Sequence, residues 1–162
     1  MARIEERLEE LGLSLPSVFS APPGIEFRFH LIRVSGGHAY ISGHGPLDGS
    51  DVLVRGKVGA EVTPEQGYEA ARLTALSILA SLAQELGDLD RVTRWVKVLG
   101  LVNCAPGFNA MPGVVNGFSD LVLELWRDAG RHARSAIGVA ELPFDIPVEV
   151  EGVVEIAVGE LS

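Results

Sequence analysis

The chain has 162 residues, 47% of them hydrophobic, which is enough for one domain with a real core. No apolar run approaches the roughly 20 residues of a membrane span, so the sequence argues against a membrane-spanning helix. The formal net charge of −9 argues against general binding to nucleic acid, because such binding takes most of its affinity from cations that neutralise phosphates. The single cysteine, Cys104, excludes an internal disulfide, and the first residues show no signal-peptide pattern, so we expect a cytoplasmic protein.

The first predicted elements are a short helix and a β-hairpin. The prolines that follow residues 3–11 end the helix, which has one apolar side: Ile4, Leu8 and Leu11. Two strands follow, in FRFHLIRVSG and HAYISG, and the Gly36–Gly37 pair between them predicts a hairpin turn. The stretch VLVRGKV is expected to form a third strand.

The clearest predicted element is a long helix that follows Thr63. Thr63 can cap this helix, Pro64 suits its first turn, Gln66 completes a capping box and Gly87 can end it. The stretch VTRWVKVLGLVN then predicts a long strand. A second helix is expected from about 115 to 128, with one apolar stripe: Val115, Phe118, Leu121, Val122 and Leu125.

Two final strands flank the turn LPFDIP. The last strand has an apolar face (Val148, Val150, Val154, Ile156 and Val158), and its opposite face carries Glu149, Glu151, Val153 and Glu155. A strand of this kind packs its apolar face on helices. The order of elements therefore predicts an α+β fold, a mixed β-sheet with two helices packed on one face. The other face of the sheet, partly apolar and partly charged, is of the kind that another copy of the chain often covers.

The stretch RHARSAIGVAELP contains the strongest candidate for a binding site. With a period of two residues, Arg134, Ala136, Gly138 and Ala140 lie on one face of a strand. A guanidinium beside three small residues leaves space next to a fixed positive group, as a small pocket for an anion would require. A tightly packed strand with one salt-bridged arginine gives the same pattern, so this stretch alone leaves both interpretations open.

Several stretches carry a resemblance to a known family. DLDRVTRWVKVLGLVN, VNGFSDL, GRHARSAIGVAELPFDIPVEVEGVVEI and YISGHGP resemble the YjgF/RidA family, also called YjgF-like or L-PSP endoribonuclease-like. The resemblance covers roughly residues 20–158, so residues 1–19 are interpreted as an N-terminal helix and connector, and residues 20–162 as a single domain. The additional helix and the long CAPGFNAMPG loop indicate a divergent bacterial branch of the family.

The resemblance implies a fold similar to the Bacillus-type chorismate mutase, assembled as a homotrimer with ligand clefts between subunits. It also implies hydrolysis of reactive enamines and imines, such as 2-aminoacrylate, to 2-keto acids and ammonia, with no metal or organic cofactor. One alternative is a non-catalytic trimer that binds small carboxylic acids. Two further alternatives are the endoribonuclease activity of some relatives, which the acidic charge disfavours, and chorismate mutase activity, which would require several cations in the cleft.

The resemblance also implies roles for particular residues. Arg134 takes the place of the carboxylate-binding arginine, and Glu149 the place of the acid that positions or activates the attacking water. Asn116 matches a pocket asparagine, and Ser42 and Gly43 fall in the stretch that lines the pocket. From the residues alone, Glu149 is equally a solvated strand residue, and Asn116 a helix cap.

Two departures from the family pattern favour the binding alternative. Ala136 stands where the family usually has a cysteine, and the N-terminal tyrosine is missing, with Phe27 or Phe29 nearby instead. His44 follows the ISG strand and is expected either to line the pocket or to be exposed. A last group of residues has no predicted role in chemistry: His132 is expected in an exposed loop, Cys104 is expected to be structural, and no histidine has the spacing of a metal ligand.

Overall fold

The computed structural model describes residues 3–159, and its helices and long strands follow the predicted order. The ends of the chain at 1–2 and 160–162, the latter part of the predicted domain 20–162, lie outside the described residues. The helices are α1 (Arg3–Glu10), α2 (Pro64–Leu86) and α3 (Met111–Trp126). The strands are β1 (Ile32–Ser35), β2 (His38–His44), β3 (Leu47–Asp48), β4 (Asp51–Val52), β5 (Val92–Asn103), β6 (Ala133–Val139) and β7 (Val148–Ile156).

Five strands form the main sheet, in the order β1-β2-β7-β5-β6. Strands β5 and β6 run parallel, and the other neighbours are antiparallel. The helices α2 and α3 pack together, and their apolar sides share one core with the sheet. The predicted α+β fold with a mixed sheet and two packed helices is therefore confirmed. In residues 3–159, no helix is both long enough and apolar enough to cross a bilayer.

Local signals in the sequence produce the predicted turns and caps. Gly36 and Gly37 have φ angles of 58° and 79°, the positive values that a tight hairpin turn of this type requires. The Thr63 hydroxyl accepts a hydrogen bond from the Gln66 backbone N–H, the Gln66 side chain accepts one from the Thr63 N–H, and both bonds form the predicted capping box. Gly87 ends α2 in the left-handed conformation.

Three predicted elements differ from the structure. The first strand of the hairpin begins only at Ile32, because the preceding residues form a loop in which the Phe27 and Phe29 rings stack at 5.1 Å. VLVRGKV is not a strand of the main sheet, since Gly56 turns the chain with a φ of 118° and donates its N–H to Asp145. Helix α3 begins four residues earlier than expected, at Met111.

The apolar sides predicted for the first helix and for the last strand are each buried over only part of their length. Ile4 and Leu8 of α1 are buried as expected, and the Asp90 carboxylate accepts hydrogen bonds from the backbone N–H groups at the start of this helix. Leu11, by contrast, is exposed. The predicted apolar face of the last strand is buried over β7 but not beyond it, since Val158 is 76% exposed.

Two glycines let α3 lie close to its neighbours. A Cβ at Gly117 would lie 1.9 Å from the Tyr68 carbonyl oxygen of α2, and one at Gly100 would lie 2.6 Å from the Val115 side chain of α3. No side chain fits at either place without movement of α3. These contacts fix α3 over β5 and beside β6, where the candidate site lies.

Candidate functional site

The guanidinium of Arg134 lies between β6 and α3 and is held on one side by α3. Its Nη1 donates to Asn116 Oδ1 at 2.9 Å and to Ser119 Oγ at 3.0 Å. Its Nη2 lies 3.4 Å from the Pro112 carbonyl oxygen. All three acceptors come from the first nine residues of α3, so the helix fixes the position of the positive charge.

The remaining edge of the guanidinium is free to bind a ligand. Arginine has five N–H donors, and the three bonds to α3 leave the Nε–H and one Nη2–H without an acceptor among residues 3–159. No carboxylate lies within ion-pair distance of Arg134 in the same residues. The stretch RHARSAIGVAELP allowed two interpretations, an anion pocket and a packed strand with a salt-bridged arginine. The second does not fit a single protomer, because Arg134 has no ion-pair partner among residues 3–159.

Asn116 contacts Arg134 and does not cap a helix. Because α3 begins at Met111, Asn116 lies in its second turn, and Ser119 follows one turn later on the same side. The helix has Ala110 at its N-cap position, and no side chain caps it. Ser119 was not among the predicted site residues. The sequence signal that could have indicated it is its spacing of three residues from Asn116, which places both side chains on one side of a helix.

Small residues of β6 leave space beside Arg134. Ala136 is half-buried on the same side of the strand, towards the helices. Two residues further on, a Cβ at Gly138 would lie 3.0 Å from the Cys104 sulfur, so this thiol occupies the side of the strand that carries Arg134. Burial raises the pKa of Cys104, which favours the neutral thiol. Cys104 therefore fits the structural role expected for it.

His132 is not the exposed loop residue that the sequence indicated. It is half-buried immediately before β6, and its ring lies edge-on to Phe118 with centroids 6.3 Å apart. Its Nδ1 lies 2.7 Å from the Gly130 carbonyl oxygen, and its Nε2 lies 2.9 Å from Ser119 Oγ. Ser119, Leu123, Arg131, His132 and Arg134 line a surface depression of about 200 Å³.

A second group of candidate residues lies on the face of the sheet away from the helices. Strand β2 bulges between Ile41 and His44, and the bulge places Ser42 and Gly43 beside β7. The Glu149 carboxyl group packs on Gly43, where a Cβ would lie 2.9 Å from Glu149 Cδ. The Ser42 hydroxyl donates to the His30 carbonyl oxygen at 2.7 Å.

The surroundings of Glu149 strengthen its carboxylate as a base. This carboxyl group is half-buried, and burial, with a smaller contribution from the negative charge of Glu151, raises its pKa. A carboxylate with a raised pKa is a stronger base than one in water, as the activation of a water molecule requires.

Within one protomer, the sheet separates the two groups. Arg134 bonds to α3 on the side of the helices, whereas Glu149 alternates with Val148 and Val150, both fully buried under the helices, and so lies on the opposite face. The strand between them in the sheet is β5. A single protomer therefore does not bring the two predicted catalytic residues into one pocket.

His44 has a different place from the one expected. It is 1% exposed, and both ring nitrogens have partners: Nδ1 lies 2.6 Å from the Ser42 carbonyl oxygen and Nε2 lies 2.9 Å from Ser81 Oγ. Burial lowers its pKa, so the neutral ring is favoured. His44 is a core residue that links β2 to α2, and we leave it out of the candidate site.

The open face of the sheet presents a broad surface next to Glu149. A depression of about 550 Å³ lies there, lined by apolar and charged residues that include Tyr40, Lys97, Leu99 and Glu151. Tyr40 and Ile137 are each almost half exposed. Among residues 3–159, no group of three histidine, cysteine, aspartate or glutamate side chains could hold a metal ion.

The fold and the two groups of residues define an α+β protein with a mixed sheet, two packed helices and an arginine whose guanidinium is held by α3. The chain belongs to the YjgF family, because the family model described as "YjgF/chorismate_mutase-like, putative endoribonuclease" matches residues 5–151. This confirms the resemblance noted in the sequence. The family model also matches α1 from its third residue onward, a helix that the sequence resemblance did not include.

Individual relatives extend over almost the whole chain. Protein TCP17 of Trypanosoma cruzi is 39% identical over 155 residues, which are 95% of this chain and 94% of that protein. The crystal structure of Atu1372 from Agrobacterium tumefaciens, a protein described as having unknown function, is 38% identical with a TM-score of 0.85, and the match covers 96% of this chain and 93% of that one. A Shewanella oneidensis structure, named "putative endoribonuclease", is 31% identical with a TM-score of 0.86 and covers 94% and 99%.

Proposed function

We propose that the protein hydrolyses reactive imines and enamines of 2-keto acids, of the 2-aminoacrylate type, to the keto acid and ammonia. The observation that carries the proposal is the guanidinium of Arg134, held by three acceptors of α3 and left with two free N–H groups. A carboxylate accepts two parallel, charge-assisted hydrogen bonds from such a group. Every substrate of this class carries that carboxylate next to the reacting carbon.

The proposed reaction needs only water and a base besides the arginine. Arg134 fixes the substrate's carboxylate, and this orients the C=N carbon towards a bound water molecule. An enamine first takes up a proton at its methylene carbon and so becomes the protonated imine. Glu149 accepts a proton as the water oxygen bonds to the C=N carbon of this protonated imine and the C=N π electrons move to nitrogen. Glu149 then returns the proton to the nitrogen of the neutral carbinolamine, the C–N bond breaks with its electron pair leaving on ammonia, and the hydroxyl proton passes to solvent as the keto group forms.

The site is completed, in this proposal, between two subunits of a homotrimer. Arg134 and Glu149 lie on opposite faces of the sheet in one protomer, so Arg134 of one copy acts with Glu149 of the partner subunit. The half-exposed Tyr40 and Ile137 on the open face support a surface that another copy covers. A trimer measured by light scattering after size exclusion supports this arrangement, and a monomer contradicts it.

Mixing two inactive variants tests the shared site directly. Arg134→Ala and Glu149→Gln subunits are unfolded together and refolded, so that mixed trimers form. If each site takes Arg134 from one subunit and Glu149 from the partner subunit, mixed trimers contain intact sites and recover activity. Recovery fails if both residues must come from one chain. Each variant refolded alone is the control.

The activity itself is tested by generating 2-aminoacrylate in situ from serine with a pyridoxal-phosphate-dependent dehydratase and following pyruvate formation. We expect the wild-type protein to accelerate pyruvate release, and Arg134→Ala to remove most of the acceleration. No acceleration by the wild type, with several amino-acid-derived imines, contradicts the proposal. The reducing cytoplasm, where such imines arise, is the compartment we propose.

A non-catalytic binder of small carboxylic acids is the second candidate. The specific observation in its favour is the loop before β1, where the Phe27 ring stacks on Phe29 and contacts the tilted ring of Phe19, and these rings supply no hydroxyl group for proton transfer. Ala136 likewise supplies no thiol. Tight binding of pyruvate without any acceleration of imine hydrolysis identifies this second function. We do not extend the proposal to RNA cleavage, because a chain of net charge −9 is poorly suited to bind phosphates.

A further inference from the structure

When the His132 ring is neutral, the hydrogen bonds between the side chains behind Arg134 have a single direction. The Gly130 carbonyl oxygen can only accept, so His132 Nδ1, 2.7 Å away, carries the proton. The Nε2 of a neutral ring is then a bare acceptor, and Ser119 donates its hydroxyl proton to it over 2.9 Å. The oxygen of Ser119 is left to accept from Arg134 Nη1 at 3.0 Å.

We propose that Ser119 and His132 are positioning residues for Arg134. His132 fixes the direction of the Ser119 hydroxyl, and the oriented hydroxyl holds Nη1 so that the opposite edge of the guanidinium faces the ligand. A side chain on a flexible stem loses rotational freedom when it binds, and holding it in advance removes that cost. This inference rests on the proposed function only in taking Arg134 as the residue that binds the ligand.

The charges around His132 are consistent with a neutral ring in this chain. Burial is the main cause that lowers the pKa of His132, and the positive charge of Arg134 lowers it further, while the bond to Gly130 raises it. The other charged groups nearby are Arg131 and Asp128, which form an exposed ion pair at 3.5 Å. Phe118 covers the ring from α3 without adding a charge.

A second side-chain hydrogen bond of α3 serves to distinguish the positioning of Arg134 from a general contribution to the stability of the helix. Tyr68 donates its hydroxyl proton to Asp120 at 2.7 Å, a bond of similar geometry between α2 and the residue next to Ser119. It has no part in the bonds of Arg134. Tyr68→Phe therefore removes a side-chain hydrogen bond of α3 and serves as the matched control.

The test measures pyruvate binding by calorimetry for the wild type and five variants: Ser119→Ala, Ser119→Thr, His132→Phe, Tyr68→Phe and Arg134→Ala. We expect Ser119→Ala and His132→Phe to weaken binding about five- to tenfold, the usual net effect of losing one hydrogen bond within a protein. His132→Phe keeps the ring that packs on Phe118, and Ser119→Thr keeps the hydroxyl and restores most of the affinity. Tyr68→Phe should bind as the wild type does.

Two results overturn the inference without contradicting the proposed function. One is wild-type affinity in Ser119→Ala while Arg134→Ala binds weakly, which would leave the proposed function intact. The other is a protonated Nε2 on His132 in nitrogen NMR spectra of the wild-type protein, a measurement that needs no variant to fold. If instead Arg134→Ala binds pyruvate unchanged, the proposed function fails and the positioning role fails with it.

Discussion

Two cations, Lys57 and Arg134, lie beside opposite ends of β6, and they differ in how many of their N–H donors have acceptors in the protein. The ammonium group of Lys57 bonds to Asn103 Oδ1 at 2.8 Å and to the Ala140 carbonyl oxygen, and pairs with Glu141 at 3.3 Å. Its three protons thus have three acceptors, one of them an anion. Arg134 has three neutral acceptors for five N–H groups and no anion among residues 3–159. A cation with every donor used holds the fold together, whereas one with donors left over is available to a ligand.

The largest expected effect is the loss of ligand affinity when Arg134, the cation with free donors, is removed. Arg134→Ala removes the two free donors, so we expect pyruvate binding to weaken roughly 100-fold, as for the loss of two charge-assisted hydrogen bonds. The melting temperature should change little, because the exposed Asn116 and Pro112 acceptors can bond to water instead and Ser119 keeps its hydrogen bond to His132. Calorimetric titration and thermal unfolding measure the two quantities. A large loss of stability with unchanged binding would mean that Arg134, like Lys57, is structural.

The opposite result is expected at Lys57. Lys57→Met leaves the fully buried Asn103 Oδ1 without its donor, and this should lower the free energy of unfolding by about 1–3 kcal/mol. Pyruvate binding should stay within twofold of the wild type. Chemical denaturation gives the first quantity and calorimetry the second.

The control for Lys57 is Arg72→Met, which breaks the partly exposed Arg72–Glu124 pair between α2 and α3 and leaves no fully buried acceptor behind. Pairs of this kind contribute about 1 kcal/mol or less, so this variant should be clearly more stable than Lys57→Met. Equal losses in both variants would contradict the special role of the buried Asn103.

A smaller effect is expected on the second group of site residues. Gly43→Ala places a methyl group 2.9 Å from Glu149 Cδ, and the flexible carboxyl side chain must move away. We expect the rate of imine hydrolysis to fall about tenfold, with pyruvate affinity and melting temperature nearly unchanged. Steady-state kinetics and calorimetry separate the two. An unchanged rate would remove Glu149 from the proposed reaction, and the Arg134 site would then be a binding site alone.

The smallest expected effect is a pH dependence of stability caused by His44, a buried side chain whose two ring nitrogens both have hydrogen-bond partners. Its pKa is lowered from the ordinary value of 6.5, so the unfolded chain binds more protons than the folded one below that pH. The stabilisation is complete above about pH 6.5 and is lost as the pH falls towards the folded pKa, by at most about 1.4 kcal/mol per pH unit for one group. Denaturation at several pH values measures it, and NMR titration of His44 assigns it. His132, whose pKa is also lowered, acts in the same direction. A folded-state pKa at or above 6.5 for His44 would contradict the prediction.

The fold was more predictable than the site, and the reason is physical. Periodicity, caps and turns act within a few residues of each other, and so β5, α2 and the Gly36–Gly37 hairpin follow from local sequence alone. The predicted strand in VLVRGKV failed because a contact distant in sequence, from Gly56 to Asp145, decides the path of the chain there. Short apolar runs carry too little local information to compete with such a contact.

At the site, the residues were easier to predict than their partners. Arg134 and Asn116 were selected by pattern and resemblance, and the structure joins them by a hydrogen bond. Ser119 and His132 were not selected as site residues. The spacing from Asn116 to Ser119 indicates only a shared side of one helix, and neither it nor the position of His132 shows that the start of β6 packs against that side. The separation of Arg134 and Glu149 by the sheet was equally hidden, since alternation along each strand does not show which faces meet.

The close contact at Gly117 limits how this site can change during evolution or by design. Gly117 lies between Asn116 and Ser119, and any larger residue would push α3 off the Tyr68 carbonyl and carry both Arg134 partners with it. Under the proposed function, new substrate preferences therefore have to arise at residues that face the space around the guanidinium, such as Ala136 or Leu123, while the helix stays where it is. Libraries built to change specificity should vary those positions and keep the glycine.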